Sequence, residues 1–285
     1  MTSGDLSIVN SSLLEDRLRA VTEQGTLELP VLPDVALKVT RLCGDEECDQ
    51  KELADVIRRD QSLMAHLLRV ANSAIYGGRV EIVSLQLAVN RLGLAKMREI
   101  VLAVACKASL FGEKGPLEEM TKRLFQHSMV TAACSQEVAR RKRLNVEEAF
   151  TVGLLHDVGR PVLLHAARKI AVEEGWDLTP EELLTATNPL HADVGAEMLA
   201  SWGLPDTMVQ AIRHHHTPDS SGGEATLPHL LRFADDLAHL MMDDASAPES
   251  LEAHPDLERL NLYPDDVEWL LERQSKVIEQ MEAYL

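Results

Sequence analysis

The stretch DQSLMAHLLRVANSAIYG, residues 60–77, decides the fold class, because its apolar residues recur at helical spacing. Asp60 is a residue type that caps helix N-termini. The apolar residues that then share one face are Leu63, Met64, Leu67, Leu68 and Ala71. Gly77 and Gly78 are strong turn residues, so the helix ends between Asn72 and Gly78. The stretch predicts one amphipathic helix with a buried face.

The same helical pattern continues along most of the chain, and no alternating pattern typical of a strand stands out. In 49–60, Asp49 and Glu52 have the spacing of a capping box. Helices are predicted over 32–43, 49–60, 60–77, 82–112 (one helix or a pair), 117–143, 147–156, 161–175, 180–187, 191–202, 205–216, 226–243 and 264–284. The sequence therefore predicts an all-α fold.

Composition and charge argue against several classes of protein. The 285 residues carry a net charge of −18, with 45% hydrophobic and 26% charged residues, as in an ordinary globular protein. Nucleic-acid binding requires a basic face, so we expect no nucleic-acid partner. The basic residues 140–143 are interpreted as the solvated end of a long helix. The longest apolar stretch, 100–106, falls short of the ~20 residues of a membrane span, and no signal sequence is visible. We therefore expect a cytoplasmic protein without a membrane partner.

The four cysteines, Cys43, Cys48, Cys106 and Cys134, lack the spacing of a zinc or redox motif. We interpret them as reduced thiols, as in cytosolic proteins. Cys43 and Cys48 flank the acidic loop CGDEEC, which leaves a thiol switch as a less favoured alternative.

Several histidines and aspartates lie within the predicted helices or at their ends. They are His127, His156, Asp157, His191, His214, His215, His216, Asp235 and Asp236. Imidazole nitrogen and carboxylate oxygen are suitable ligands for first-row divalent metals.

One ion would have four protein ligands from at least three helices, namely His127, His156, Asp157 and Asp235. A second ion would be held by His191 and by His215 or His216, with a bridging carboxylate. Two such ions are suited to the hydrolysis of a phosphoester.

Each of these residues also has a purely structural interpretation. His191 opens a predicted helix and is explained equally by a local contact at the helix start. The run 214–216 ends a helix, where a cation interacts well with the helix dipole. Asp235 and Asp236 are compatible with a solvated face. Spacing does not distinguish these interpretations, because ligands from different helices obey no fixed interval.

Three segments of the first half resemble the HDOD family, helical signalling domains related to the HD-type metal-dependent phosphohydrolases. They are LPVLPDVALKVTRL (29–42), LADVIRRDQSLMAHLLRVANSAIYG (53–77) and VSLQLAVNRLGLAKMREIVLA (83–103). The second half matches through QHSMVTAAC, GLLHDVGR, HADVGAEMLASWGLP and AIRHHHTP. The resemblance covers roughly 27–240 and implies a multi-helix HD-like bundle with an N-terminal helical subdomain.

The resemblance and the composition together suggest how the chain is divided. The segment GEKGP, 112–116, is the best linker candidate. The predicted parts are an N-terminal helical extension (1–26), an HDOD domain (27–240) with halves 27–112 and 113–240, and a C-terminal helical extension (241–285). The C-terminal helix either packs against its own domain, which we favour, or forms the face of a homodimer.

HDOD domains are generally regarded as regulatory modules, often with eroded metal ligands. In this chain the resemblance implies a complete set. It places His127 on the first histidine of the HD superfamily, His156 and Asp157 on the signature pair, His191 and His215 on the added histidines of two-metal relatives, and Asp235 on the closing aspartate.

Arg160 stands where the HD-GYP branch, the cyclic-dinucleotide phosphodiesterases, usually has lysine. It is either a contact for a substrate phosphate or a surface charge. The GYP segment itself is missing, since TPDSSGGEATLP follows the histidine run. This weakens the specific prediction of cyclic-di-GMP hydrolysis.

Two hypotheses about function follow. The leading one is a regulatory module that binds a protein partner or a small signalling ligand, with or without a retained metal site. The alternative is a metal-dependent phosphohydrolase acting on a nucleotide or cyclic dinucleotide, with Asp157 and Arg160 in the catalytic site. The expected cofactor is one or two divalent ions, with Fe, Mn, Mg and Zn not distinguished.

Overall fold

The computed structural model describes residues 3–43, 50–78, 80–112, 114–221, 225–242 and 249–284. All regular structure within these ranges is helical, which confirms the all-α fold class. The predicted Asp49 cap and Cys48 lie outside the described residues, so the thiol-switch alternative stays a prediction. Cys106 and Cys134 are free, buried thiols.

The helices run in chain order as α1 (Ser3–Glu23), α2 (Asp34–Cys43), α3 (Gln50–Ile57), α4 (Gln61–Ala71), α5 (Leu85–Leu110), α6 (Glu118–Lys142), α7 (Val146–Leu155), α8 (Gly159–Glu174), α9 (Pro180–Thr187), α10 (His191–Ser201), α11 (Asp206–Arg213), α12 (Thr226–Met242), α13 (Glu249–Glu252), α14 (Pro264–Leu271) and α15 (Gln274–Tyr284). A 3₁₀ turn, Pro218–Ser221, precedes α12. Among the described helices, none combines the length and the apolar character needed to cross a membrane.

Helix α4 begins and ends where the sequence predicts. The carboxylate of Asp60 accepts a hydrogen bond from the backbone N–H of Leu63 at 3.0 Å, which caps the helix. Asn72 follows the last residue of α4, and its side-chain amide exchanges two hydrogen bonds with the backbone of Ile82, at 2.7 and 2.8 Å. Asn72 therefore ends the helix and also fixes the chain that leads into α5.

Helix α5 contains a sharp break at Gly93, so residues 82–112 form a pair of helical segments, which is one of the two predicted alternatives. Gly93 has φ 77° and ψ 166°, a conformation that only glycine adopts without strain. Two helical segments therefore meet at this glycine.

Several predicted helices differ from the structure at their ends, and α3 for example ends at Ile57 and not at 60. Helix α11 ends at Arg213 and not at 216, because His214 leaves the helical conformation with φ −110° and ψ 13°. The predicted helix 264–284 is two helices, α14 and α15. Arg273 lies in the break between them, stacks on the ring of Trp269 at 3.4 Å and bonds to Glu137 at 3.1 Å.

Helix α6 forms the centre of the bundle. Every residue from His127 to Ala139 is buried, as expected for a helix surrounded by others. Helices α7, α12, α14 and α15 pack around α6. The C-terminal helices thus pack against their own chain, as predicted, and they bury Val267, Leu270, Val277 and Met281.

The interpretation of residues 140–143 as a solvated helix end is wrong for Lys142, which is only partly exposed, and holds for the exposed Arg140, Arg141 and Arg143. Arg141 and Lys142 both bond to the buried carboxylate of Asp266. The guanidinium of Arg141 also lies 5.3 Å from the centre of the Trp269 ring. The basic cluster therefore anchors α14 to the end of α6.

Two glycines of the GLLHDVGR stretch permit close helix packing. A Cβ at Gly153 would lie 2.6 Å from the Cα of Ala132, so glycine allows α7 to approach α6. A Cβ at Gly159 would overlap the carbonyl oxygen of His191 and lie 3.0 Å from the backbone nitrogen of Gly195. Gly159 therefore sets the separation of α8 from α10.

His66 is a buried histidine of α4 that the sequence analysis did not single out. Its side chain contacts Arg69, and its Nε2 is buried without a hydrogen-bond partner among the described residues. Burial, helped by the charges of Arg69 and Lys107, lowers the pKa of His66 to about 4. The folded protein therefore holds this imidazole neutral.

We predict that Gly159→Ala lowers the free energy of unfolding by about 1–3 kcal/mol, because the new methyl group must push α10 away from α8. Chemical denaturation measures this loss. Gly25→Ala is the control, since Gly25 has φ 64° and open space around it. This control variant loses about 1–2 kcal/mol from backbone strain alone and leaves the position of His191 unchanged. A Gly159→Ala protein as stable as wild type would contradict the predicted overlap.

We predict that His66→Gln weakens the acid sensitivity of the fold. Because the pKa of His66 is lower in the folded state, the unfolded chain binds the extra proton, and stability is lost as the pH falls from about 6.5 towards 4. One proton contributes a slope of up to about 1.4 kcal/mol per pH unit. Urea denaturation at a series of pH values should show a shallower slope in the variant. Equal slopes in wild type and variant would show that His66 does not contribute to the pH dependence of stability.

Candidate functional site

The six predicted metal ligands come together in one buried cluster, which we call the His–Asp cluster. Its members are His127 on α6, His156 and Asp157 between α7 and α8, His191 at the start of α10, His215 after α11, and Asp235 on α12. All six are buried. The cluster brings together residues that are far apart in sequence. His127 and Asp235 are separated by 108 positions, yet Nε2 of His127 lies 2.8 Å from Oδ1 of Asp235.

The two aspartates lie at the centre of these contacts. Nε2 of His156 lies 3.4 Å from Oδ1 of Asp235 and 3.5 Å from Oδ2 of Asp157. Nε2 of His191 lies 3.2 Å from Oδ1 of Asp157. Asp157 is therefore placed between the two groups of histidines, as a bridging carboxylate would be.

Three histidines are oriented by the backbone in the same way. Nδ1 of His156, His191 and His215 lies 2.8, 2.8 and 2.6 Å from the carbonyl oxygen of the residue three positions earlier. A carbonyl only accepts hydrogen bonds, so Nδ1 carries the proton in each ring. The lone pair of a neutral ring is then on Nε2, the arrangement found in metal-binding histidines.

Several ligand atoms of the cluster are buried without a hydrogen bond. Among the described residues, these atoms include Nε2 of His156, Nε2 of His215 and Oδ1 of Asp157. Leaving such atoms unpaired costs about 1–3 kcal/mol each. A divalent cation would satisfy all three, so the residues present fit a metal ion.

The electrostatics of the cluster also suit a cation. Burial lowers the pKa of His191 to about 4 and that of His215 to about 3, so both rings are neutral at pH 7. Burial alone would raise the pKa of Asp157 and Asp235, but the neighbouring His156 outweighs it and both stay ionised. The two carboxylates in turn overcome the burial of His156 and raise its pKa to about 9. A proton on His156 therefore supplies the positive charge that a metal ion would replace.

Two further histidines extend the cluster towards solvent. Nε2 of His216 lies 2.9 Å from Nε2 of His191. The ring of His239 stacks on His127 with the ring centres 4.3 Å apart. The groups His191–His215–His216, His127–His156–Asp157 and His127–Asp235–His239 each have ligand atoms within 4.8 Å of one another.

The sequence analysis named His216 only as an alternative to His215, and the structure places both in the cluster. It missed His239. The only signal for His239 was its position four residues after Asp235, which places the two side chains on one face of α12.

Arg160 lies beside the cluster and is not a free surface charge. Its Nε donates to Oδ2 of Asp157 at 2.7 Å, its guanidinium also bonds to the side chain of Asn188, and its side chain is 15% exposed. Asp236 faces away from the cluster and accepts a hydrogen bond from His254. The solvated-face interpretation therefore holds for Asp236 and not for Asp235.

Comparison with known proteins agrees with this fold. A candidate metal-dependent phosphohydrolase from Shewanella amazonensis superposes with a TM-score of 0.76 at 21% identity, covering 97% of this chain and 100% of that chain. An HDOD domain protein of unknown function from Geobacter sulfurreducens superposes with a TM-score of 0.72 at 26% identity, covering 95% and 97%.

A sequence relative is an uncharacterized protein of Treponema pallidum, 22% identical over 195 residues and 66% of this chain. The match spans only 38% of the length of that relative. The family model of the HDOD domain matches residues 29–218, which is more than half of the chain. With this match and the shared fold, the chain belongs to the HDOD domain family.

Proposed function

We propose that this protein is a regulatory HDOD module that binds one or two divalent metal ions at the His–Asp cluster and acts by binding a protein partner or a small signalling ligand. One observation carries the metal assignment. The Nδ1 atoms of three histidines are fixed by backbone carbonyls, while unpaired Nε2 atoms of His156 and His215 and the unpaired Oδ1 of Asp157 lie buried together.

The cluster offers ligands for two neighbouring ions. The first ion would be held by His127, His156, Asp157 and Asp235. The second would be held by His191 and His215, with Asp157 shared. The 3.2 Å separation of Nε2 of His191 from Oδ1 of Asp157 supports this sharing.

A cleft next to the cluster supports the binding of a small ligand. It has a volume of about 850 Å³, within the range of small-molecule sites, and lies between segment 26–30, the end of α5 and one side of α8. Leu27, Leu29, Val162 and Ile170 give it an apolar lining. Pro161 and Val162 line the cleft and follow Asp157 by four and five residues, so the first turn of α8 joins the cluster to the cleft.

Phosphoester hydrolysis is the second candidate function. The exposure of His216 and His239 favours it, because solvent reaches the edges of the cluster. Divalent ions bound there would polarise a phosphoryl oxygen and lower the pKa of a bound water. Asp157 would hold the ions, and Arg160 would offer its guanidinium to a substrate phosphate. In the structure, however, this guanidinium is occupied by Asp157 and Asn188, which favours the regulatory function.

We predict that the untagged protein, stripped with a chelator and reloaded with Mn²⁺ or Fe²⁺, retains about one or two metal equivalents by elemental analysis. His156→Ala and Asp157→Asn remove ligands and should each lower this content. A metal at 100 times its Kd should also stabilise the fold by about 2.7 kcal/mol, which thermal denaturation detects.

Asp177→Asn is the matched control for these variants, because Asp177 lies exposed in the loop between α8 and α9 and outside the cluster. It should retain the wild-type metal content. Equal metal contents in wild type, His156→Ala and Asp157→Asn would overturn the metal assignment.

We predict that the metal-loaded protein hydrolyses bis-p-nitrophenyl phosphate, nucleotides and cyclic dinucleotides no faster than the Asp157→Asn variant does. Release of p-nitrophenol and chromatography of the nucleotide products measure the rates. A metal-dependent rate that the variant lacks would reject the purely regulatory function and establish the phosphohydrolase.

A further inference from the structure

We propose that His239 is an additional metal ligand, which binds the same ion as His127 and Asp235 and closes the solvent side of the His–Asp cluster. This inference rests on the proposed metal site and goes beyond the six ligands that the sequence predicts.

The geometry brings His239 to the same carboxylate oxygen as the predicted ligands. Its Nε2 lies 3.8 Å from Oδ1 of Asp235, and Nε2 of His127 lies 2.8 Å from that oxygen. Two atoms bound to one ion at about 2.1 Å are separated by at most about 4.2 Å. Both distances meet this limit, and all three ligand atoms lie within 4.8 Å of one another.

The chemistry of the three side chains is also that of a metal site. Two imidazoles and one carboxylate form a donor set that binds non-haem Fe²⁺ and related divalent ions while leaving positions open. His127 belongs both to this group and to the group His127–His156–Asp157, so the two groups adjoin at His127.

The exposure of His239 distinguishes it from the other ligands of this ion. Its side chain is 66% exposed, whereas those of His127 and Asp235 are 10% and 12% exposed. An exposed histidine is free to extend into water, but this ring lies against His127 with an interplanar angle of 29°. His239 therefore stands between the buried ligands and solvent, where it would control access to the ion.

Stacking on His127 is the competing explanation for this position, and a matched pair of variants separates the two roles. His239→Phe keeps an aromatic ring for stacking but removes the ligand atom. His239→Glu removes the ring and supplies a carboxylate ligand at the same place.

The test is a titration of untagged, chelator-stripped protein with Co²⁺, followed by its visible absorption and by calorimetry. We expect His239→Phe to bind the ion at least about tenfold more weakly and with an altered spectrum. His239→Glu should recover most of the affinity, and the control Asp177→Asn should match wild type.

The outcomes separate this inference from the proposed metal site. If wild type does not bind Co²⁺, the metal site itself is rejected, and the role of His239 is rejected with it. If wild type binds and His239→Phe binds equally well with the same spectrum, His239 is not a ligand and only this inference fails. If His239→Phe binds Co²⁺ as tightly as wild type while His239→Glu binds it more weakly, stacking on His127 is the role of the ring.

Discussion

The buried charge of Asp157 is the constraint on which the arrangement of the site depends. A carboxylate taken out of water is costly unless cations or hydrogen-bond donors surround it. Asp157 meets part of this requirement through Arg160 on Oδ2 and through the protonated ring of His156. Arg160 lies on α8 and His156 follows α7, so the charge of Asp157 joins the end of α7 to the start of α8. The buried carboxylate of Asp235 on α12 also needs a partner, and the contact with His127 joins α12 to α6.

The central helix α6 links the His–Asp cluster to the rest of the chain. Gln136 donates to the buried carboxylate of Glu99 on α5 at 2.7 Å, and the hydroxyl of Tyr284 on α15 lies 3.3 Å from the same group. Helix α6 carries both His127 and Gln136, and therefore connects the first half of the chain, the His–Asp cluster and the C-terminal helices. The core is accordingly continuous and includes buried residues from Leu14 to Tyr284. The predicted linker at 112–116 joins two halves that share this core.

The sequence allowed the fold class and many helix starts to be predicted, and it singled out six residues that cluster in the structure, because capping residues, apolar periodicity and family motifs are local signals. Two of the errors have a common cause in long-range contacts. Lys142 was interpreted as solvated because its partner, Asp266, is 124 residues away. The end of α11 was placed too late, since the histidine run contains no helix-breaking residue before Pro218. His239 was missed because its stacking on His127, which lies on α6, cannot be predicted from the sequence of α12 alone.

The contact between Gly159 and the carbonyl of His191 has a consequence for signalling. With no space between them, α8 and α10 cannot shift independently at this point. One side of α8 lines the 850 Å³ cleft, and His191 begins α10, so a displacement of α8 by a ligand would change the position of His191, which we propose as a metal ligand. Thermodynamic linkage then makes the effect reciprocal: a cleft ligand that strengthens metal binding is itself bound more tightly, by the same factor, when the metal is present. The cleft and the cluster would thus act as a two-input device, in which metal supply sets the sensitivity to the ligand.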